Sequence, residues 1–175
     1  MLALKLTHRL GVAGVAVWCW VGCAAAQSVG APTAPTKIAV FAFELEDFSA
    51  AGQAAPAATS HLAQATEEAK QQLLTSGRYS VVDVAGADTS AAKGQGLRNC
   101  GGCEASIAMG LGADQALIGV VTRISMTEYI VRFQVRDARD GQVVSSFSTD
   151  LRMGADYSWS RGVRWLMQNR MLASK

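Results

Sequence analysis

The sequence predicts an α/β two-layer sandwich: a mixed β-sheet with helices on one face, its elements ordered β-α-β-α-β-β-β-α. Three observations carry that prediction. Apolar runs of strand length alternate with segments of helical period through the first half of the mature chain, which brings early strands together through crossovers. Two later strand-like segments flank "DARDG" (137–141), turn chemistry that joins antiparallel neighbours. Finally, one amphipathic segment closes the chain and can cover a sheet face.

Taken in order, residues 1–26 are expected to be a signal peptide. Lys5 and Arg9 form its positive start, "LGVAGVAVWCWVGC" (10–23) its apolar centre, and "AAA" (24–26) a small-residue cleavage site. "WVGC" (20–23) partly resembles a bacterial lipobox, with Trp20 where Leu is usual. Lipidation of Cys23, which would anchor the protein at the outer membrane, therefore stands as the alternative to free release. Removal of residues 1–26 takes away two bases and no acid, so the formal net charge of +2 falls to zero. No basic excess is left of the kind nucleic-acid binding requires. Of the cysteines, only Cys100 and Cys103 stay, with His61 as the sole histidine.

"QSVGAPTAPT" (27–36) reads as a flexible leader, and residues 37–173 as a single α/β domain. "KIAVFAFEL" (37–45) is a nearly continuous apolar run, expected to be a strand covered on both faces. A loop over 46–60 leads to Ser60 as N-cap. Leu62, Ala65, Ala69 and Leu73 then recur at helical spacing, and Gly77 is the stop. "RYSVVDV" (78–84) is a strand, 85–99 a second small-residue loop, and "EASIAMGL" (104–111) a short helix. "ADQALIGVVTRIS" (113–125) is the most apolar strand and so the central one. Tyr129, Val131, Phe133 and Val135 alternate with polar residues, and "QVVSSFSTDLR" (142–152) returns beside them as a hairpin. Asp156 or Ser158 caps the last helix, whose Trp159, Val163 and Leu166 form its inward stripe.

"KIAVFAFE", "SGRYSVVD", "LGADQALIGVVTRI" and "VRDARDGQVVSS", in this order, resemble the N-terminal domain of TolB and the related CsgG-like periplasmic modules across about residues 37–151. "CGGCEASIAMGLGAD" and "DYSWSRGVRWLMQNRM" are similar to a family of exported proteobacterial proteins with no assigned function. The resemblance implies a non-enzymatic role in envelope assembly or protein contact. For the second family it also implies an accessory role beside periplasmic quinoprotein alcohol oxidation. The chain lacks TolB's propeller and an evident pore-forming insertion, so neither TolB's own function nor CsgG-type secretion carries over.

Cys100 and Cys103 admit three readings. A Cys-x-x-Cys at a helix start can hold a reactive thiolate. However, all three prolines (Pro32, Pro35, Pro56) lie upstream, leaving none for the cis-proline of thioredoxin-like enzymes, and only Cys103 is expected to reach the helix. A structural zinc site wants four ligands, and His61 is the only other candidate of that type. An exported protein favours the third reading, a local disulfide that ties the loop 85–99 to the second helix.

Glu44, Glu46, Asp47 and Glu104 fall near strand and loop ends, where ligands of open sheets settle. They are candidates for a basic partner or a hard cation. Trp159, Arg161, Arg164 and Trp165 are candidates for an anchor surface on the last helix, because Trp and Arg dominate interface hot spots. No Gly-x-Ser-x-Gly elbow, dinucleotide fingerprint or phosphate loop is present, and His61 reads as a surface histidine. The expected protein is thus a periplasmic, non-enzymatic binding or assembly module with no cofactor. Its expected partner is another periplasmic or envelope protein, and oligomerisation is left open. The enzymatic alternative is a thiol-disulfide oxidoreductase using the Cys100/Cys103 pair.

Overall fold

Seven strands form one mixed sheet in the computed structural model, which describes residues 34–49, 56–92 and 94–173. The expected signal peptide, Cys23 and most of the leader lie outside these residues. The strands are β1 (Thr36–Val40), β2 (Glu44–Asp47), β3 (Tyr79–Val82), β4 (Gln115–Ser125), β5 (Glu128–Asp137), β6 (Val143–Ser148) and β7 (Arg152–Met153). The helices are α1 (Pro56–Thr75), α2 (Cys103–Gly110) and α3 (Trp159–Leu166), the last running on as a π-turn, Met167–Met171. The sheet order is β3-β1-β4-β5-β6, with β2 continuing β1 beside β4 and β7 pairing β5. β1 pairs β3 and β4 in parallel, whereas β4, β5 and β6 are antiparallel neighbours. Crossover helices build the first half and tight turns the second, as the periodicities predict.

β4 is central, as expected from its composition. Ala116 through Arg123 are all buried. The apolar run 37–45 is not one strand but two, and the reason is a bulge. Val40 pairs with Leu117 and Glu44 with Val120, so four steps on one side meet three on the other. The extra residue switches the alternation. Ile38 and Val40 face the core under α1 and α3, and after the switch so do Phe43 and Leu45. Glu44 and Glu46 are thereby sent to the reverse face. Phe43 fits because β4 has Gly119 opposite: a Cβ there would stand 2.4 Å from its ring. That ring meets Phe133 edge-on at 5.5 Å between centroids.

α1 and α3 form the helix layer. Ala65, Ala69 and Leu73 of α1 and Val163 and Leu166 of α3 share a core with Leu117, Val131 and Phe133. α1 starts at Pro56, a turn before the expected cap. Ser60 lies inside it and its hydroxyl donates back to the Ala57 carbonyl. Ala57 and Ala58 are strong helix formers and proline suits a first helical position, which is why the helix extends back to Pro56. His61 departs from its reading as a surface histidine. It is half-buried, its ring edge-on to Trp159 at 6.4 Å, with Nδ1 buried and unbonded. Neither expected cap of α3 acts as one: the Ser158 hydroxyl donates to Ala155 O, and Asp156 is held by Arg123.

The short α2 departs from the single layer of helices. It packs on the reverse face, where Ala108 joins Ala39, Phe41, Ala116 and Ile118 in a second apolar cluster. The β1 region is therefore covered on both faces, as its apolar run predicts. Over β5 the reverse face carries Arg132 and Gln134, the first exposed and the second half-buried.

Candidate functional site

The four carboxylates singled out from the sequence are not brought together. Each is held by its own arginine. Glu44 receives the backbone N–H groups of Leu97 (2.6 Å) and Arg98 (3.3 Å) and the Arg98 guanidinium (2.8 Å), so it clamps the 3₁₀ turn Leu97–Asn99 onto β2. Glu46 accepts from Thr122 Oγ1 (3.0 Å) and Arg132 (3.1 Å) along the same face. Asp47 points to the opposite face and takes both Nε and Nη2 of buried Arg123, whose Nη1 reaches Asp156 at 2.8 Å. The Arg123 guanidinium, opposed in part by burial and helped by Ser49, holds the Asp47 carboxyl well below the usual carboxylate range. Asp47 in turn raises Arg123.

Glu104 sits in the first turn of α2. It is 1% exposed, and Arg136 Nε donates to it at 2.7 Å while Arg136 Nη1 donates to Gly141 O. A buried carboxylate demands such a partner. Beside it the sulfurs of Cys100 and Cys103 are bonded at 2.07 Å. This link joins the Leu97–Asn99 turn to α2. The helix starts at Cys103 with Gly102 before it, so Cys100 stands outside it, as the two glycines predict. Cys103 N–H donates to Cys100 Sγ at 3.2 Å. With the disulfide reduced, the two sulfurs and a Glu104 oxygen would offer three ligand atoms within 4.8 Å of one another. Arg136 already occupies the other oxygen of that carboxylate.

The four residues named on the last helix separate just as sharply. Trp159 is 1% exposed and belongs to the core, because the stripe it shares with Val163 and Leu166 is the one that faces the sheet. Arg164 is a bidentate clamp between helices, donating to Glu68 at 2.8 and 2.7 Å and lowering that carboxyl below its ordinary value. Arg161 is exposed and Trp165 half-buried. Only these two remain as surface candidates. They line a cleft of ≈ 270 Å³ between α3 and the β5–β7 edge, with Tyr129, Arg152, Met153 and Tyr157.

Arg152 was not a sequence candidate. It comes from the two-residue β7, too short to leave a periodic signal, and its guanidinium stacks over the Trp165 ring at 3.9 Å. Arg170 approaches the same ring at 5.9 Å. Neither these two nor Arg161 has a carboxylate partner among the described residues. Three arginines and two tryptophans in "LRMGADYSWSRGVRW" could have drawn attention to this segment, but not the register that folds Arg152 back onto Trp165.

These features define an α/β sandwich with its four candidate acids held by arginines and an arginine-lined cleft beside Trp165. The chain belongs to the family DUF3280, described as "Protein of unknown function (DUF2380)", whose match covers residues 36–171. That agrees with the resemblance to an exported family of unassigned function. No curated protein is similar in sequence at a significant level. Among solved structures, the chain is similar to the LpoB C-terminal domain from Salmonella enterica at 18% identity and a TM-score of 0.46, covering 70% of this chain and 86% of that one. The PelC dodecamer from Paraburkholderia phytofirmans aligns at 18% identity and a TM-score of 0.45, over 81% and 89% of the two chains. TolB from Acinetobacter baumannii aligns at 14% and 0.41, over 77% of this chain but 27% of TolB. Among the described residues, no helix is long and apolar enough to cross a membrane.

Proposed function

We propose that this chain is an exported, non-enzymatic accessory module of the cell envelope. It binds another envelope protein through the outer side of its last helix. One observation carries the reading. The acids that could have served chemistry are spent on arginines of the fold, whereas three of the four described arginines without carboxylate partners, Arg152, Arg161 and Arg170, cluster around Trp165, the fourth, Arg78, donating to Met171 O. Trp and Arg in one open cleft are the composition of an interface hot spot, and the edge loops over 85–104 are then scaffold, held by Glu44 and the disulfide. In this reading residues 1–26 direct export and 37–173 form the working domain. The periplasm is the site of action, and the partner is part of a quinoprotein alcohol-oxidation system. Lipidation at Cys23 would change the tether and not the binding surface.

The test is affinity capture from periplasmic extract with the mature protein and with Trp165→Ala. A partner retained by the first and lost by the second supports the reading; no specific partner on either refutes it. Mass spectrometry of the mature N-terminus separates a free Gln27 from an acylated Cys23.

A second reading has one observation in its favour. The Cys103 N–H aimed at Cys100 Sγ would stabilise a thiolate there, as thiol-disulfide exchange requires. Glu104 Oε2 stands 3.5 Å from the same sulfur and opposes it electrostatically. Catalysis by the mature protein of insulin reduction with dithiothreitol as the electron donor, abolished by Cys100→Ser, would establish exchange; its absence leaves the pair as a staple.

A further inference from the structure

The cleft beside Trp165 offers donors and almost nothing else. Tyr129 OH is committed to Ser158 O at 3.1 Å, and the Ser158 hydroxyl to Ala155 O at 2.7 Å. Arg152 Nε is buried without a partner, and Arg161 lies one helical turn before Trp165, so both arginines line the one cleft. The wall is close because Gly162 lets α3 rest on Tyr129: a Cβ there would meet that ring at 2.9 Å. An occupant must supply acceptors and negative charge to two planar, five-donor groups, which is the recognition chemistry of a carboxylate.

The shape selects the source of that carboxylate. At ≈ 270 Å³ the cleft lies just under the usual range of small-ligand pockets, and those enclose most of their ligand. Here the rim is open and apolar, with Met153 73% and Tyr157 64% exposed. One inserted side chain fits the floor, and its neighbours would cover the rim. We propose that the cleft is a docking site for an acidic peptide segment of the partner protein. An Asp or Glu of that segment enters between Arg152 and Arg161, and an adjacent aliphatic or aromatic residue packs on Met153 and Tyr157. The proposal rests on the reading of the last helix as a partner surface and adds the chemistry of what lands there.

The experiment is selection of random peptides displayed on phage against the full chain, expressed with its own leader and purified. The selected peptides are then titrated as synthetic peptides while tryptophan emission is followed. The expected peptides place Asp or Glu next to an apolar residue, and their Asn or Gln counterparts bind at least about tenfold more weakly, a change of about 1.4 kcal/mol. Arg161→Ala loses about as much, and Arg161→Lys recovers part of it. Inorganic phosphate fails to compete at concentrations where the peptide saturates. The proposal is overturned by no enrichment, by enrichment without acids, by equal binding to an Arg152→Ala/Arg161→Ala variant that melts as a folded protein, or by phosphate binding as tightly as peptide. Capture of an envelope partner that this variant retains sinks the inference and leaves the proposed function standing. Acidic peptides that bind while no partner is ever captured do the reverse.

Discussion

The disulfide corner and the Trp165 cleft are both built from arginines and aromatic or apolar neighbours, yet they use charge in opposite ways. At the corner, Arg98 and Arg136 are consumed by Glu44 and Glu104, one of those acids wholly buried. At the cleft, Arg152 lies on an indole face and Arg161 is exposed, with no acid among the described residues to neutralise either. Charge in the first region fixes a long loop to the sheet. In the second it is left for something else. What separates the two is satisfaction: a paired charge is architecture, an unpaired one beside exposed apolar surface is an invitation.

The comparison breaks most visibly at Glu104. Glu104→Ala leaves Arg136 facing a cavity, and removing one partner of a buried pair costs about 3–5 kcal/mol. Denaturant unfolding of the variant measures it; a loss under about 1 kcal/mol would mean the corner is not a clamp.

Acid sharpens the same contrast. Asp47 and Glu68 both titrate below their ordinary values because Arg123 and Arg164 hold them. Their unfolded counterparts titrate at about 3.9 and 4.3, so these pairs contribute fully above that range and lose their contribution as pH falls from it through the lowered values of the folded state. The melting temperature should therefore be flat above about pH 5 and fall below about pH 4, and Asp47→Asn should make that fall shallower. An equally steep fall in the variant would contradict the assignment.

The disulfide comes next in size. Closing so short a loop stabilises by about 2 kcal/mol in the chain-entropy account. Cys100→Ser/Cys103→Ser should cost about that much, with hydrogen exchange rising first in 94–102 and not in β4.

How much of this was legible follows physical lines. The order of elements was readable because helical and strand periods differ, and the α3 stripe of Trp159, Val163 and Leu166 was readable for the same reason. The bulge over Phe41–Phe43 was not. A strand buried on both faces has no alternation to interrupt, so "KIAVFAFEL" looks the same with or without the extra residue. Glu104 was placed at the start of the second helix, but its burial against Arg136 was not readable, since that partner lies 32 residues away on β5, a distance no local pattern spans. Half of the cleft was visible, because Arg161 and Trp165 sit on a periodic helix. Arg152 stayed hidden because two residues of strand have no period.

Stability should be least sensitive at the cleft itself. Arg161→Ala is an exposed substitution outside any clamp and should change unfolding free energy by under about 0.5 kcal/mol, measured in parallel with Glu104→Ala. A large loss would make Arg161 structural.

The central claim is that the face around Trp165, and not the clamped face of the sheet, meets a partner. In vivo photo-crosslinking tests it most directly, with the reactive group placed at Tyr157 beside the cleft or at Arg139 in the exposed β5–β6 turn. The account predicts a discrete adduct with one envelope protein from position 157 and none from 139. An adduct from 139 alone, or none from 157, would contradict it.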